Sequence, residues 1–151
     1  MVREHVLHYG KTGYTKLVVK IMLGEDGPMI IMSKYFAGIE PLKAGYDRIL
    51  IRPNFGNLTK ISAKVTTLKG DVSIEAKKTN TELSMQIDTP AKTLVGVPKV
   101  FQNFIISSNG QKIYENGDVH DIQGINYKNE DENFIYYYIE SGQYQITSTS
   151  N

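Results

Sequence analysis

The chain has 151 residues, of which 40% are hydrophobic and 22% are charged, and its formal net charge is +1. This length suits one domain with its own core, and the balance of residues excludes wholesale disorder. The near-zero net charge favours neither a nucleic acid nor a membrane surface as a partner. The chain contains no cysteine, which excludes disulfides and thiolate chemistry.

The first forty residues allow more than one interpretation. The N-terminus lacks the apolar region of a signal peptide, and the localisation stays unknown. Residues 16–23 fit either a strand or a turn of buried helix. After a Gly- and Pro-containing break at residues 24–28, the apolar run to Ile39 predicts a short helix ending near Gly38 or, alternatively, a strand. We interpret residues 1–40 as an N-terminal segment and residues 41–151 as one β-sandwich domain.

From residue 46 onward, apolar and polar residues alternate with the period of a β-strand. Asn109-Gly110 is the clearest hairpin signal, because both residue types tolerate positive φ. We therefore predict an all-β fold, an antiparallel sandwich of about eight strands with a short N-terminal helical or extended segment. The predicted inward positions are Ile49 and Ile51; Ile61, Ala63 and Val65; Val72, Ile74 and Ala76; and Leu83, Met85 and Ile87.

Several short motifs occur in an order that resembles one known family. The series contains Ala37-Gly38-Ile39, Gly45-Tyr46, Arg52-Pro53, Thr67 with Gly70, Pro90, Val95 and Val97 before Pro98, Asn109-Gly110, and Ser141-Gly142 before Tyr144. Over residues 35–146 this series resembles the C-terminal β-sandwich domain of bacterial α-L-rhamnosidases. In that family the Ala-Gly-Ile element closes the last helix of the catalytic barrel. The resemblance therefore implies a domain that follows the barrel, in a chain from which the barrel is absent.

We consider three functional hypotheses. The first is a non-catalytic accessory domain of an α-L-rhamnosidase-like glycoside hydrolase, which packs against the barrel and stabilises it, or which pairs with another copy of itself. The second is an independent carbohydrate-binding module, with a rhamnose-containing carbohydrate as its ligand. The third is an intact small enzyme, which would need two carboxylates converging in a cleft.

No catalytic residue, metal ligand or cofactor is predicted. The carboxylates lie mainly in turns and at charged strand positions, where a solvated surface explains them. His5 and His8 are three residues apart, but further metal ligands are not evident. His120 lies between Asp118 and Asp121, which turn chemistry also explains. The acidic loop at residues 129–133 offers oxygen ligands suited to Ca²⁺ without the glycine and spacing of an EF-hand.

The aromatic strand of sequence FIYYYIE is the candidate substrate-binding element. Alternation places Phe134, Tyr136 and Tyr138 on one face and Ile135, Tyr137 and Ile139 on the other. Aromatic rings stack on the apolar faces of sugars. We assign Tyr136, Tyr137 and Tyr138 as candidate substrate-binding residues, while a strand buried on both faces remains the alternative.

Overall fold

The computed structural model describes residues 2–9, 15–22, 37–42, 48–56 and 58–151, and these ranges contain fourteen strands and no helix. In chain order the strands are β1 (Val2–Tyr9), β2 (Thr15–Met22), β3 (Ile39–Pro41), β4 (Ile49–Ile51), β5 (Lys60–Thr67), β6 (Gly70–Lys78), β7 (Glu82–Thr89), β8 (Thr93–Pro98), β9 (Phe104–Ser108), β10 (Gln111–Glu115), β11 (Asp118–Val119), β12 (Ile125–Glu130), β13 (Phe134–Ile139) and β14 (Gly142–Ser150).

The strands form two sheets. The larger has nine strands in the order β1-β2-β5-β6-β7-β14-β9-β10-β11, and the smaller has five in the order β12-β13-β8-β4-β3. Neighbouring strands are antiparallel except β4 and β8, which run parallel. The predicted all-β sandwich is confirmed, with more strands than the eight expected. Strand β8 is buried throughout, and β3 and β11 span only three and two residues, so period-two alternation does not reveal them.

The core lies between the two sheets and is built from the inward side of each strand's alternation. Along β7 the burial pattern alternates, with Leu83, Met85 and Ile87 inside and charged or polar residues between them. All the apolar positions predicted to point inward are buried in this cluster. Fully burying one large aliphatic side chain contributes about 1.5–3 kcal/mol, so these repeated inward positions hold the sheets together.

The hairpin between β9 and β10 has the geometry that its sequence predicts. Asn109 and Gly110 both have positive φ, at 47° and 82°. This conformation gives the turn a twist that matches the right-handed twist of the flanking strands. Gly110 meets no steric obstacle, because a Cβ added there would have no atom within 4 Å.

The N-terminal segment contributes strands to the larger sheet. Strand β2 pairs with β5 in antiparallel fashion, which decides the interpretation of residues 16–22 in favour of a strand. The predicted helix or strand at residues 29–36 lies outside the described residues, and the domain boundary at residue 40 stays a prediction. In the described part of the chain, no helix has the length and hydropathy needed to cross a membrane.

Candidate functional site

The outer side of the smaller sheet carries a second apolar cluster, separate from the main core. It consists of Leu50, Leu94, Phe134, Tyr136 and Tyr138, and we call it the aromatic face. Its members come from three adjacent strands, β4, β8 and β13. The strand pairing places residues of neighbouring strands side by side, so these side chains form rows across the sheet. Tyr138 is opposite Leu94, and Leu94 is opposite Leu50.

Gly96 makes room for the aromatic side chains above β8. It is the register partner of Tyr136. A Cβ at this position would lie 3.1 Å from Cε1 of Tyr136, 3.1 Å from Cγ of Arg52 and 3.2 Å from Cδ1 of Phe134. These are closer than ordinary carbon contacts, so a side chain on residue 96 would displace this cluster.

A hydrogen-bonded chain crosses the aromatic face. The Tyr136 hydroxyl accepts a 3.3 Å bond from Nη1 of Arg52 and donates a 2.9 Å bond to Oδ2 of Asp131. The other carboxylate oxygen of Asp131 accepts bonds of 2.8 Å from the backbone amides of Asn133 and Phe134. The carboxylate thus fixes both the turn before β13 and the orientation of the tyrosine.

These contacts shift the pKa values of all three groups. The backbone amide of Asn133, followed by the Tyr136 hydroxyl, lowers the pKa of the exposed Asp131 carboxyl. Burial raises the pKa of the Tyr136 hydroxyl. The hydrogen bond to Tyr136 raises the pKa of the Arg52 guanidinium. Asp131 therefore stays ionised and accepts hydrogen bonds across the neutral pH range.

Cations also border the aromatic face. Arg52 lies over the Phe134 ring, with its Cζ 5.6 Å from the ring centroid. The ammonium groups of Lys92 and Lys128 lie over the Tyr138 ring at 5.2 and 5.5 Å. Such contacts attract each cation to the electron-rich ring face. The result is a surface of aromatic rings with positive charge at its margins.

The three candidate tyrosines do not share one face. Tyr137 points into the main core and is fully buried, with its hydroxyl donating a 3.4 Å bond to the carbonyl of Ile113. Tyr136 is buried in the aromatic face, and Tyr138 lies half-buried beside it. The structure therefore brings together Tyr136 and Tyr138 and separates Tyr137 from them. Substrate binding by Tyr136, Tyr137 and Tyr138 stays a prediction.

The other motifs singled out in the sequence have local structural roles. Asp121 accepts a 2.8 Å bond from the backbone amide of Tyr127, while His120 is exposed. Asp131 of the acidic loop holds the turn described above. Among the described residues, no group of three or more His, Cys, Asp and Glu side chains is arranged to hold a metal ion. The side chains of His5 and His8 lie outside the described residues.

The partners that surround the tyrosines are not evident from the sequence. The sequence pattern assigns Leu50 and Leu94 to no site and gives Arg52 only as the end of a strand. One feature of the sequence indicates that Leu50 and Leu94 are buried: β4 and β8 are continuous apolar runs rather than alternating ones. Continuous runs are typical of strands buried on both faces.

Part of the chain matches a known protein family. Residues 38–99 match the family model described as the bacterial alpha-L-rhamnosidase C-terminal domain. The structure is similar to that of the α-L-rhamnosidase from Dictyoglumus thermophilum, with a TM-score of 0.67 and 29% identity over 77% of this chain. This stretch of the chain is similar to the C-terminal domain of bacterial α-L-rhamnosidases. The resemblance inferred from the motif order is therefore confirmed.

A second similar structure is that of the Streptomyces avermitilis α-L-rhamnosidase complexed with L-rhamnose, with a TM-score of 0.61 and 19% identity over 77% of this chain. This likeness concerns the fold alone. The present chain covers 12% of the first rhamnosidase and 10% of the second, so it spans about a tenth of each. Among curated proteins, no match was found.

Proposed function

We propose that the chain is a non-catalytic accessory β-sandwich domain of an α-L-rhamnosidase-like glycoside hydrolase, and that it packs against a catalytic barrel and stabilises it. The observation that carries this proposal is the extent of the structural likeness. The likeness to a solved α-L-rhamnosidase covers 77% of this chain but only 12% of that protein's chain. A module of this kind is a small part of a much longer hydrolase.

The aromatic face is the surface that we propose for contact with the barrel. The family match begins at Gly38, directly before β3, and β3 is an edge strand of the sheet that carries this face. In the family the Ala-Gly-Ile element closes the last barrel helix, so the barrel would lie beside this sheet. This face contains Arg52, Tyr136 and Tyr138. Arg and Tyr are among the residue types most enriched at the residues that contribute most to binding energy in protein interfaces.

The carboxyl groups with shifted pKa values favour a non-catalytic role. Lys64, 2.8 Å from Asp71, lowers the pKa of the Asp71 carboxyl, and backbone amides lower that of Asp131. A glycosidase general acid needs the opposite shift, because it must stay protonated near neutral pH. Both of these carboxylates serve as hydrogen-bond acceptors in turns and strand pairs.

The alternative is a carbohydrate-binding module that uses the same aromatic face. Tyr138 is half-buried and would be the ring available to a sugar. However, the ammonium groups of Lys92 and Lys128 already lie over that ring. A stacked sugar would have to displace these cations and lose their attraction to the ring. This cost favours docking over sugar stacking on this face.

A domain exchange tests the accessory role. The matched segment of the Dictyoglumus thermophilum enzyme is replaced by the full chain, so that β2 still pairs with β5, and the chimera is compared with the enzyme lacking the segment. We expect the chimera to hydrolyse an aryl α-L-rhamnoside and to withstand several degrees more heat than the truncated enzyme, while the isolated chain shows no turnover. A chimera no more stable than the truncated enzyme would refute the stabilising role.

Paired variants test the docking surface in the same chimera. Replacing Phe134 and Tyr138 with serine should reduce the heat resistance of the chimera, because both rings border the proposed contact. Leu68→Ser is the control, since Leu68 is 77% exposed at the β5–β6 turn, away from this face. Equal loss in both variants would contradict docking through the aromatic face. Turnover by the isolated chain that disappears on substituting a carboxylate would contradict the non-catalytic role.

A further inference from the structure

The outer side of the larger sheet contains a shallow groove that the accessory role does not use. The groove has a volume of about 770 Å³ and lies across β5, β6, β7 and β14. The five-stranded and nine-stranded sheets pack against each other through their inner sides, so this groove and the aromatic face are on opposite sides of the sandwich. A domain docked through the aromatic face would leave the groove open to solvent.

Two rows of polar side chains form the groove, because the strand registers align them. In the first row Glu75 is opposite Gln86, and Gln86 is opposite Gln145. In the second row Asp88 is opposite Gln143. Neighbouring strands are about 4.8 Å apart and the rows are two residues apart, roughly 7 Å along the strand. The groove therefore presents a regular grid of amide and carboxylate groups.

The backbone positions that carry the grid are fixed by the fold before any ligand binds. Strands β6, β7 and β14 pair along nearly their whole length, and residues next to the grid positions, such as Ile74, Ile87 and Ile146, are buried in the core. At one end, the side-chain oxygen of Asn109 accepts a 3.1 Å bond from the backbone amide of Gln145 and holds the β9–β10 turn against β14. A rigid floor reduces the conformational entropy that binding would otherwise cost.

The chemistry of the grid selects its ligand. A glutamine amide offers both donors and acceptors, and a carboxylate accepts two hydrogen bonds, which suits neighbouring hydroxyl groups. Lys64 pairs with Asp71, outside the groove, at 2.8 Å, and the neutral Nε2 of Gln143 donates a 3.3 Å bond to Asp88, so Glu75 and Asp88 make the groove acidic. Glu75 and Asp88 would repel a polyanion. A hydroxyl-rich chain without negative charge fits these groups.

We propose that this groove binds a neutral oligosaccharide, laid across β6, β7 and β14 and held by Glu75, Gln86, Gln145 and Gln143. The site is separate from the tyrosine strand and depends on none of its rings. Its contacts are hydrogen bonds made in competition with water, so each contributes modestly and affinity grows with the number of sugar units engaged. A hexasaccharide binds about tenfold more tightly than a single sugar, as expected when two or more further hydrogen bonds form.

Titration of the full chain with cellohexaose and xylohexaose, followed by NMR, tests the proposal. The side-chain amide signals of Gln86, Gln143 and Gln145 shift at millimolar hexasaccharide, and the signals of Phe134 and Tyr138 do not. Hexagalacturonate, which carries negative charge, serves as the comparison. Failure of both neutral probes to shift these amides, or a shift with hexagalacturonate alone, overturns the proposal. Shifts confined to Phe134 and Tyr138 overturn it in favour of the aromatic face.

Variants identify the groups responsible. Gln86→Ala and Gln145→Ala each weaken hexasaccharide binding by about fivefold, the loss expected for one net hydrogen bond. Gln111→Ala is the matched control, because Gln111 is an exposed glutamine in β10 of the same sheet, outside the groove. If an alanine variant unfolds, Gln86→Glu keeps the side-chain length and removes the donors. Equal affinity in the groove variants and the control overturns the assignment, whatever the outcome of the docking experiment.

Discussion

At the scale of single residues, Tyr137 shows how burial sets the behaviour of a polar aromatic group. The side chain is fully buried, and the Tyr127 ring packs edge-on against it at a centroid distance of 6.0 Å. Burial raises the pKa of the Tyr137 hydroxyl well above its ordinary value near 10. The hydroxyl therefore stays protonated in the folded state at pH values where it ionises in the unfolded chain.

This difference predicts a specific alkaline destabilisation. The contribution of Tyr137 to stability is fully present below about pH 10 and is lost as the pH rises toward its folded-state pKa, because the unfolded state then releases the proton first. Tyr137→Phe should remove this decrease in the free energy of unfolding, which is at most about 1.4 kcal/mol per pH unit. At neutral pH the substitution should cost about 1 kcal/mol or less, because it removes one hydrogen bond. Urea unfolding of the two proteins at several pH values measures the pH dependence and the cost at neutral pH. Identical pH profiles for the two proteins would contradict the assignment.

At the scale of secondary-structure elements, two glycines with positive φ have different reasons to be glycine. Gly38 precedes β3 with a φ of 60°, and a Cβ there would overlap the backbone carbonyl of Arg52. Its own carbonyl accepts a 3.1 Å bond from the Arg52 amide, which ties β3 to the end of β4. Gly110, in the β9–β10 turn, has open space around it, so only its backbone conformation matters.

The two positions should therefore respond differently to the same substitution. Gly38→Ala combines conformational strain with overlap against fixed backbone, and we expect a loss of about 2–5 kcal/mol. Gly110→Ala introduces only the strain of a side chain at positive φ and should cost about 1 kcal/mol. Chemical denaturation of the two variants beside the parent protein makes the comparison. Similar losses at both positions would show that the strand around Gly38 shifts to admit a side chain.

At the scale of the whole molecule, the N-terminal hairpin extends the larger sheet. Residues 15–22 of β2 supply the strand that pairs with one side of β5, and β6 pairs with the other. Without β1 and β2, strand β5 becomes a sheet edge with unpaired backbone groups. Exposed edges of this length invite pairing with another chain.

Removal of residues 1–36 should accordingly lower the melting temperature by several degrees and promote self-association. Hydrogen exchange should quicken at the β5 amides that pair with β2, while amides of β7, two strands away, serve as the internal control. Size-exclusion chromatography and thermal unfolding of the full and shortened chains provide the other measurements. An unchanged melting temperature together with an unchanged monomer would contradict this role for the hairpin.

Much of the fold class could be predicted because its signals are local. Alternation identified the inward residues of β5, β6 and β7, and Asn109-Gly110 identified a turn, since each depends on neighbours in sequence. Strands β3, β8 and β11 carry no such signal, being too short or buried on both sides. Their assignment depends on partners distant in sequence, such as the parallel pairing of β4 with β8.

The order of residues in the strand is enough to predict that Tyr137 points away from Tyr136 and Tyr138, because successive residues of any strand face opposite ways. Which side faces the core does not follow from the sequence, since it depends on which sheet β13 joins and what that sheet packs against. The aromatic face and the groove on the larger sheet also depend on tertiary structure. Arg52 meets Tyr136, and Gln86 lies opposite Gln145, only because sheet pairing brings together segments far apart in the chain.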